Sequence, residues 1–519
     1  MPYKVCILAA GIGSRISSSN KIHKALLPLN DEAIITKIIN KFPKNTQFVI
    51  AVGYNKDQIK DYILHAHSKN KIRFVNIINY SGPGSGPGFS LLQCKKYLMS
   101  PFIFTTSDTM VLENMPKTIN KDWVGVAPVK ETKEYCTFKV NKNVVTGIDD
   151  KTVNSNKIAF IGLAGVKNYD TFFKSLEENQ KLSAGEIQVS SGLKGLINKN
   201  LSIENFTWYD TGNDKNYKIT KEAFEDKPYD FSKPDEYFYL TNKKIIKLNA
   251  DKDKVKNLSL RALKLKTLIP NNFKKSKNTF SYNYYSGQVF YDVANPFLTN
   301  KLLNFLDKNL WDKKIKISQN EFQNICHNFY KNKTFDRLSS FKKISDFDFD
   351  NFIINGKKVK SLNYYLNKIN WKSLSEGTQS QFHGDLQFDN IIYSFKEEKF
   401  KLIDWRSDFG GNIIVGDIYY DLAKLYSGCV LQYNEIKKNN FDCNIIGKNV
   451  TFDFKVSYNI TASLREIKKF IISNGYDLYK VQILSSLIFL NMSPLHKEPF
   501  SYLLFFLGYS SLVHSLNSD

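Results

Sequence analysis

The chain has 519 residues, of which 42% are apolar and 14% aromatic, so it is long enough for two or more domains and too apolar for a disordered protein. Its formal net charge of +23 would suit a nucleic-acid or anionic-membrane partner, but only six of its 73 basic residues are Arg, and the Lys residues are scattered. Because Arg supplies the planar fork favoured for phosphate and base-edge recognition, we expect no nucleic-acid partner.

The first predicted element is a short buried strand over residues 4–9, which ends in a loop containing Gly11 and Gly13. Glycine allows a tight turn whose backbone N–H groups can approach a phosphate, so the loop is a candidate nucleotide site. The third Gly of a dinucleotide-binding fingerprint and the G-K-[ST] of a P-loop are both missing, which excludes those two loop types.

This loop and the segment after it resemble the nucleotidyltransferases that make sugar nucleotides and CDP-alcohols. Residues 8–15 meet the family pattern L-A-A-G-x-G-S-R, and residues 24–28 meet K-A-L-x-P. The resemblance assigns catalysis to Arg15 and Lys24, whose charges would stabilise the α-phosphate and the departing pyrophosphate. It assigns nucleotide binding to Leu8, Ala10, Gly11 and Gly13.

Two later segments resemble the places where that family binds its metal. Within residues 102–110, FIFTTSDTM, a strand ends in Ser107-Asp108, similar to the family's G-D or N-D step. Residues 208–214, WYDTGND, resemble its W-x-D-T-G segment. The resemblance implies that Asp108 and Asp210 hold Mg²⁺, a cation that prefers oxygen ligands and retains water. Considered singly, either Asp is an ordinary turn residue.

Short apolar strands over residues 4–9, 47–52 and 102–105 alternate with helical patterns. This alternation predicts an α/β fold with a Rossmann-like, mostly parallel sheet in the first half of the chain. Functional residues in such sheets gather at the carboxyl ends of the strands, and Gly11 and Asp108 each follow one. The nucleotidyltransferase motifs therefore agree with the predicted fold.

Two prolines and mixed charges interrupt the periodicity near residues 225–235, which predicts a domain boundary. We expect a first domain over residues 1–228 and a second over residues 229–519. The second would have a small lobe at about residues 235–286 and a large lobe at about residues 287–519. The small lobe would begin with a strand hairpin, because the pattern that follows the boundary alternates between apolar and polar residues.

Residues 381–405 contain H-G-D, then an Asn five residues after that Asp, then an Asp that closes an apolar strand. These are the polar groups that phosphoryl transfer needs. Asp385 would orient and deprotonate an attacking hydroxyl, while Asn390 and Asp404 would hold Mg²⁺ against the phosphates of ATP. The pattern resembles the aminoglycoside phosphotransferase and choline kinase family, and residues 416–423 resemble its G-D-x-x-x-D-L-A segment, which braces the catalytic loop. The resemblance implies a two-lobed, protein-kinase-like α+β domain.

In the expected small lobe, Lys247 is the candidate for the lysine that contacts the α- and β-phosphates of ATP. The helical stretch over residues 255–268 contains no Glu or Asp, so the usual ion-pair partner of that lysine is missing. Either Arg261 marks a rearranged site, or another residue such as Lys244 takes the role. A solvated surface lysine is an equally good interpretation of Lys247.

The two resemblances describe consecutive reactions, because a kinase makes the phosphoester that a nucleotidyltransferase joins to NMP. We therefore predict a bifunctional enzyme that uses a small alcohol, its phosphoester, ATP, and CTP or another NTP. A choline- or ethanolamine-type kinase paired with a cytidylyltransferase fits both families, with a bacterial surface polysaccharide or lipid as destination. An anomeric sugar kinase paired with a sugar-1-phosphate nucleotidyltransferase is the alternative. A third possibility is that one half is inactive and serves as a binding module.

The cysteines are widely spaced and form no C-x-x-C pair, as is typical of reduced thiols. No apolar run reaches the roughly 18 residues that a membrane span needs. The first apolar run leads directly into the glycine loop, without the cleavage-site pattern of a signal peptide. We expect a cytoplasmic protein that does not insert into a membrane, and the sequence leaves its oligomeric state open.

Overall fold

The computed structural model describes residues 3–16, 21–180, 182–183, 185–224, 235–345 and 350–517. The chain divides into two compact units. The first unit contains the described residues of Met1–Asp226, Ser232–Lys252 and Lys274–Tyr282, and the second contains those of Asp253–Phe273 and Asn283–Asp519. The boundary expected between residues 228 and 229 lies outside the described residues.

The first unit contains alternating strands and helices. Its strands are β1 (Lys4–Ala9), β2 (Pro28–Leu29), β3 (Glu32–Ala33), β4 (Gln47–Val52), β5 (Lys71–Asn76), β6 (Phe102–Thr106), β7 (Thr109–Val111), β8 (Trp123–Pro128), β9 (Cys136–Asn141), β10 (Val144–Asp150), β11 (Ile158–Val166), β12 (Leu182–Ser183), β13 (Glu186–Ile187), β14 (Ser202–Asn205) and β15 (Trp208–Asp210). Its helices are α1 (Ile34–Ile39), α2 (Lys56–Ala66), α3 (Pro87–Cys94), α4 (Tyr169–Glu178), α5 (Ser190–Leu196) and α6 (Asp214–Phe224). The expected α/β class is confirmed.

Among the described residues, nine strands form one sheet in the order β5-β4-β1-β6-β11-β8-β14-β10-β9. The strands β5, β4, β1 and β6 are parallel, but β11 runs antiparallel to both β6 and β8. The expectation of a mostly parallel sheet is therefore wrong, and the sheet is mixed. One reason is the two-residue turn at Lys142 and Asn143, both with positive φ, because such a turn joins only antiparallel strands, here β9 and β10.

Strand β1 lies in the middle of the parallel part and is covered on both faces. Val5 and Ile7 belong to one apolar core, whereas Cys6 and Leu8 belong to the other. Because successive side chains of a strand point to opposite faces, a strand covered on both sides is apolar throughout. This burial fixes β1, and the loop that follows it emerges at the carboxyl edge of the sheet.

The hairpin expected after the boundary is present, and it belongs to the first unit. Its sheet has the strand order β16-β17-β19-β18, formed by β16 (Glu236–Thr241), β17 (Lys244–Asn249), β18 (Lys274–Lys275) and β19 (Thr279–Asn283). Tyr239 donates a hydrogen bond to the Leu26 carbonyl, and its ring lies 4.8 Å from that of Tyr62. The residues expected to form a small lobe are thus divided between the two units.

The second unit is mainly helical. Its helices are α7 (Lys252–Lys264), α8 (Phe290–Val293), α9 (Pro296–Asn309), α10 (Gln319–His327), α11 (Lys333–Ile344), α12 (Leu362–Lys368), α13 (Trp371–Ser375), α14 (Ile418–Val430), α15 (Tyr433–Lys437), α16 (Tyr458–Ser473), α17 (Leu478–Met492) and α18 (Phe500–Leu516). Its strands are β20 (Gln288–Val289), β21 (Phe352–Ile354), β22 (Lys357–Val359), β23 (Gln379–Ser380), β24 (Ile391–Ser394), β25 (Lys399–Leu402), β26 (Gly416–Asp417), β27 (Phe441–Ile446) and β28 (Asn449–Phe454). The two-lobed kinase-like fold stays a prediction for this unit.

Helices α17 and α18 are apolar on nearly all sides because they pack in the interior of the second unit. A methyl group at Gly508 would lie 2.9 Å from the Leu490 backbone nitrogen, so glycine is needed where the two helices approach most closely. In the part of the chain that the structure describes, no helix is both long and apolar enough to cross a membrane.

Three buried histidines make the stability of the first unit depend on pH. Burial lowers the pKa of His23 to about 3 and those of His65 and His67 to about 4. Below the unfolded pKa of about 6.5, the unfolded chain takes up protons that the folded unit excludes. Stability is therefore full above about pH 6.5 and declines as the pH falls towards 4. We expect each histidine to lower the free energy of unfolding by about 2 kcal/mol at pH 5.

Urea titrations at pH 7, 6 and 5 measure this loss, with hydrogen exchange of peptides from α2 reporting the unfolding of the first unit. His67→Gln is expected to reduce the pH dependence, because it removes one of the three buried groups. His514→Gln is the matched control, since His514 is exposed and lies in the second unit. An unchanged pH dependence in the His67 variant would contradict the assignment.

Candidate active sites

Backbone hydrogen bonds fix the position at which the glycine loop of the first unit begins. The backbone N–H of Ser107 donates to the Leu8 carbonyl at 3.2 Å, and that of Tyr54 donates to the Ala10 carbonyl at 2.9 Å. These bonds tie the end of β1 to its neighbours. Beyond them, Gly13 has a φ of 73°, in the left-handed region that favours glycine, and Gly11 is exposed with open space around it. The nucleotide-binding role of these four residues stays a prediction.

Lys24 and Asp108 form an ion pair at the carboxyl edge of the sheet. Lys24 Nζ lies 2.6 Å from Asp108 Oδ2, and both side chains are largely buried. Burial raises the pKa of Asp108, but the charge and hydrogen bond of Lys24 outweigh it and hold the pKa at about 2. Asp108 is therefore an anion at neutral pH, and the structure brings together one predicted catalytic residue and one predicted metal ligand.

Gly212 marks the point where the other predicted residues meet. A methyl group there would lie 2.9 Å from Asp210 Oδ1, 3.1 Å from Asp108 Oδ2 and 3.5 Å from the Arg15 guanidinium. The pairing of β15 with β7 sets Asp210 opposite Thr109, the residue after Asp108. Two carboxylates and a guanidinium thus surround one small residue. The guanidinium of Arg15 is mostly exposed and can turn towards a bound ligand.

Asp210 is oriented by a residue that the sequence did not single out. Asn216, in the first turn of α6, donates from its side-chain amide to Asp210 Oδ2 at 2.6 Å, and the Gly212 N–H donates to Oδ1 at 2.8 Å. Burial and the neighbouring charge of Asp108 raise the pKa of Asp210. Asn216 would therefore fix the direction in which Asp210 offers its oxygens.

These carboxylates fit a magnesium ion that is shared with a substrate. Among the described residues, no three His, Cys, Asp or Glu side chains form a ready-made metal cage. Mg²⁺ commonly takes one or two carboxylates and completes its shell with phosphate oxygens and water. Asp108 and Asp210 meet that requirement. Burial and, after it, the charge of Asp108 raise the pKa of Asp210, and a cation between the two carboxylates would offset the second of these effects.

In the second unit, the loop after β23 is fixed by Asp421 of α14. Asp421 accepts the backbone N–H of His383 at 2.8 Å and that of Gly384 at 2.7 Å. Asp417 caps α14 and accepts the Thr378 N–H at 2.8 Å. Both aspartates are buried, and each also accepts a side-chain hydrogen bond from outside the loop, Asp421 from the Trp311 indole at 3.2 Å and Asp417 from the Tyr330 hydroxyl at 2.7 Å. The segment that carries Asp385 is consequently rigid at its base.

Arg261 of α7 holds the same loop from the other side. Its guanidinium donates to the carbonyls of Phe382, His383 and Arg406, and it stacks 3.6 Å from the centroid of the Phe382 ring. Only 2% of Arg261 is exposed. The sequence offered Arg261 as the possible mark of a rearranged ATP site, a role that stays a prediction, and the structure shows it donating to backbone carbonyls. The loop around Asp385 is therefore held by Asp421 of α14 on one side and by Arg261 of α7 on the other.

Arg261→Met is expected to destabilise the second unit by about 3 kcal/mol, because buried carbonyls lose their donors. Urea unfolding followed by hydrogen exchange of peptides around His383 measures this loss. The exposed Lys264, also on α7, provides the matched control Lys264→Met, which is expected to change the free energy of unfolding by less than about 0.5 kcal/mol. Equal effects of the two substitutions would contradict this role of Arg261.

Asp385 is paired with a lysine that the sequence analysis missed. Lys424 of α14 is 6% exposed, and its Nζ lies 2.8 Å from Asp385 Oδ1. Burial raises the pKa of Asp385, but Lys424 outweighs burial and lowers it below the usual range. Lys424 was recognisable in principle. It follows Asp421 by three residues on α14, so it faces the same loop.

Asn390 and Asp404 lie at one end of the hairpin formed by β24 and β25. The backbone N–H of Ile403 donates to the Asn390 carbonyl at 2.9 Å, which continues the ladder and places Asp404 directly after it. The Asn390 side-chain amide donates to the Asp385 carbonyl at 2.8 Å. Asp404 is exposed and has a φ of 58°, a left-handed conformation that Asp tolerates. The three predicted residues thus share one corner, and the metal role stays a prediction.

Lys247, the predicted ATP-contacting lysine, lies on β17 within the first unit, while the loop of Asp385 belongs to the second. Lys244, the alternative, starts the same strand, and its Nζ lies 3.4 Å from the His65 carbonyl. The contacts of Lys244 are thus made within the first unit. A role for either lysine in ATP binding stays a prediction.

No protein-family model and no curated protein matches this chain. Among solved structures, it is 18% identical to a UDP-glucose pyrophosphorylase complexed with UDP-glucose, covering 43% of this chain and 98% of that one with a TM-score of 0.38. It is 17% identical to a putative glucose-1-phosphate thymidylyltransferase from Bacillus anthracis, covering 45% of this chain and 98% of that one with a TM-score of 0.38. It is 18% identical to CTP:phosphocholine cytidylyltransferase from Streptococcus pneumoniae, covering 43% of this chain and 100% of that one with a TM-score of 0.37. Each similarity spans less than half of this chain.

Proposed function

We propose that this chain is a bifunctional cytoplasmic enzyme. Its second unit would phosphorylate a small alcohol with ATP, and its first unit would transfer a nucleotidyl group from CTP or another NTP to the resulting phosphomonoester. The observation that carries the proposal is the gathering of phosphate-handling side chains at one place in each unit. Two carboxylates and two cations converge around Gly212 in the first unit. A carboxylate, an amide and a second carboxylate share the corner of Asp385 in the second.

In the second unit, the acceptor hydroxyl oxygen would attack the γ-phosphorus of ATP. The bond from that phosphorus to the bridging oxygen breaks, ADP leaves, and the hydroxyl proton passes to the Asp385 carboxylate. Lys424 keeps Asp385 ionised, so the base is ready before the acceptor binds. Asn390 and Asp404 would hold Mg²⁺, which neutralises charge on the ATP phosphates when it is bound.

In the first unit, a phosphomonoester oxygen would attack the α-phosphorus of the NTP. The bond from that phosphorus to the β-phosphate oxygen breaks, and pyrophosphate leaves. Arg15 and Lys24 would stabilise the charge that develops on the α-phosphate and on the leaving group. Mg²⁺ held by Asp108 and Asp210 would add positive charge at the same place when it is bound.

A mass-spectrometric screen of the purified chain tests this proposal. Choline, ethanolamine, glycerol, glycerate, glycerol 3-phosphate and common hexoses are supplied with ATP alone, with CTP or UTP alone, and with ATP plus either NTP. We expect a phosphoester with ATP alone and an NDP derivative only when ATP and the matching NTP are both present. CDP-choline and UDP-hexose products would distinguish the two acceptor classes predicted from the sequence. Formation of neither product from any acceptor, even when phosphoesters are supplied directly, would refute the proposal.

A further inference from the structure

The carboxylate of Asp385 is surrounded by an excess of positive charge. Lys424 lies 2.8 Å away and is buried. Arg406 follows Asp404 by two residues, and its backbone N–H donates to the His383 carbonyl at 3.0 Å. The aliphatic part of the Arg406 side chain packs against the loop at Gly384, where an added methyl group would lie 2.8 Å from Arg406 Cδ. Arg406 is therefore held against the residue next to Asp385.

Two further cations approach the same place from α11. Lys333 Nζ lies 3.9 Å from the centroid of the Phe329 ring, and the Arg406 guanidinium carbon lies 5.2 Å from the same centroid. Arg337 follows Lys333 by four residues on α11, so the two project from the same face of the helix. We call Lys333, Arg337 and Arg406 the basic cluster.

The described part of the protein neutralises the basic cluster only in part, since the charge of Arg406 helps to lower the pKa values of Asp408 and Asp385. Among the described residues, no carboxylate forms an ion pair within 4.0 Å of Lys333, Arg337 or Arg406, whereas Asp385 is already paired with Lys424. Burial and the charges of Arg406, Lys424 and Arg337 lower the pKa of Lys333, and the smaller opposing effect of Asp385 does not offset them. Like charges held together in a partly buried place cost free energy, and an anion bound among them would offset that cost.

We propose that the acceptor alcohol of the second unit carries an oxygen anion, a carboxylate or a phosphate, which the basic cluster binds while Asp385 faces the acceptor hydroxyl. The inference rests on the proposed phosphorylation and names its substrate class. Arg and Lys recognise carboxylates and phosphates through charge-assisted hydrogen bonds. The same cluster would repel a quaternary ammonium such as choline and would give no advantage to a neutral polyol.

The test compares acceptors of similar size and different charge. Initial rates of ADP release are measured with glycerate, glycerol 3-phosphate, glycerol and choline, each across a range of acceptor and ATP concentrations. We expect kcat/KM for glycerate or glycerol 3-phosphate to exceed that for glycerol and choline by at least about tenfold. The comparison of glycerate with glycerol 3-phosphate distinguishes a carboxylate from a phosphate. A higher kcat/KM for choline or glycerol would overturn the inference.

Variants test whether the basic cluster causes the preference for an anionic acceptor. Lys333→Gln and Arg337→Gln are each expected to raise KM for the anionic acceptor about tenfold and to change KM for ATP less than twofold. Lys343→Gln, on the exposed face of α11, is the matched control and is expected to leave both constants unchanged. If the substitutions raised KM for ATP instead, the cluster would belong to the ATP site and the inference would fail. Should Lys333→Gln melt at a lower temperature than the parent protein, Arg337→Gln decides the question.

The failure of this inference is distinguishable from the failure of the proposed function. If no acceptor, anionic or otherwise, gives ADP release that depends on Asp385, the phosphorylation itself is refuted. If release depends on Asp385 but favours choline or glycerol, only the acceptor class is wrong. Lys333→Glu gives an independent check, because reversing one charge is expected to lower kcat/KM for glycerate more than that for glycerol.

Discussion

Asp385→Asn is expected to lower the rate of ATP-dependent phosphorylation by about 10²–10⁴-fold, because it removes the group that accepts the acceptor proton. The substitution is nearly isosteric, and the Asn side-chain oxygen can still accept a hydrogen bond from Lys424. ADP release with a saturating acceptor measures the loss. Pyrophosphate release from NTP and a supplied phosphoester is expected to stay at the parent rate, since that reaction would take place in the first unit.

Asp389→Asn is the control for this substitution. Asp389 lies on the same loop, but its carboxylate is paired with Lys437, 2.9 Å away, whereas that of Asp385 is paired with Lys424. We expect its phosphorylation rate to stay within about twofold of the parent. A phosphorylation rate within threefold of the parent in Asp385→Asn would show that another group accepts the proton, and the assignment of this loop would be withdrawn.

The sequence predicted three central strands of the first unit closely, because they are buried on both faces. β1 and β4 have the bounds expected from their apolar runs, and β6 is longer by one residue. Strand direction was not predictable in the same way. The run of residues 158–166 is as apolar as β1, yet β11 is antiparallel to β6, because direction depends on how the chain returns to the sheet and not on composition.

The second site was predictable only where its residues are close in sequence. The spacing of Asp385 and Asn390 places them on one loop, and the structure joins them by a hydrogen bond. Arg261 lies 122 residues before His383, whose carbonyl it binds, so its role depends on the packing of α7 and has no local pattern. Lys424 is an intermediate case, since its position follows once Asp421 is known to face the loop.

The hairpin after the boundary shows why domain limits are harder to predict than elements. The alternation of residues 237–248 predicted two strands, and β16 and β17 are there. Their side chains decide which unit they join. Tyr237, Tyr239, Ile246 and Leu248 belong to the same apolar core as Val5 and Ile7 of β1. A hairpin that is apolar on one face needs a partner surface, and the sequence alone does not say which surface that is.

Asp108→Ala is expected to lower nucleotidyl transfer by at least about 10²-fold, with phosphorylation unchanged. The substitution removes a carboxylate at the centre of the first site, both as a Mg²⁺ ligand and as the partner of Lys24. Lys24 would then keep its charge in a largely buried place without a counter-ion. Pyrophosphate release from NTP plus supplied phosphoester measures the effect, and ADP release with ATP and acceptor reports on the second unit.

Two controls separate the loss of the carboxylate from a loss of folding. Asp149→Ala removes a carboxylate from β10 that is 3.8 Å from Lys139 and accepts the Asn156 side-chain amide at 2.7 Å, and it is expected to leave both reactions unchanged. Asp108→Ala combined with Lys24→Met removes both charges and is expected to restore stability without restoring transfer, because the proposed metal ligand and the proposed catalytic lysine are then both missing. Recovery of transfer in the double variant would mean that Asp108 only neutralises Lys24 and that Lys24 is not needed for transfer, so both assignments would fail. As proposed, the two units differ in principle, since Asp385 acts on a proton and Asp108 on a metal ion.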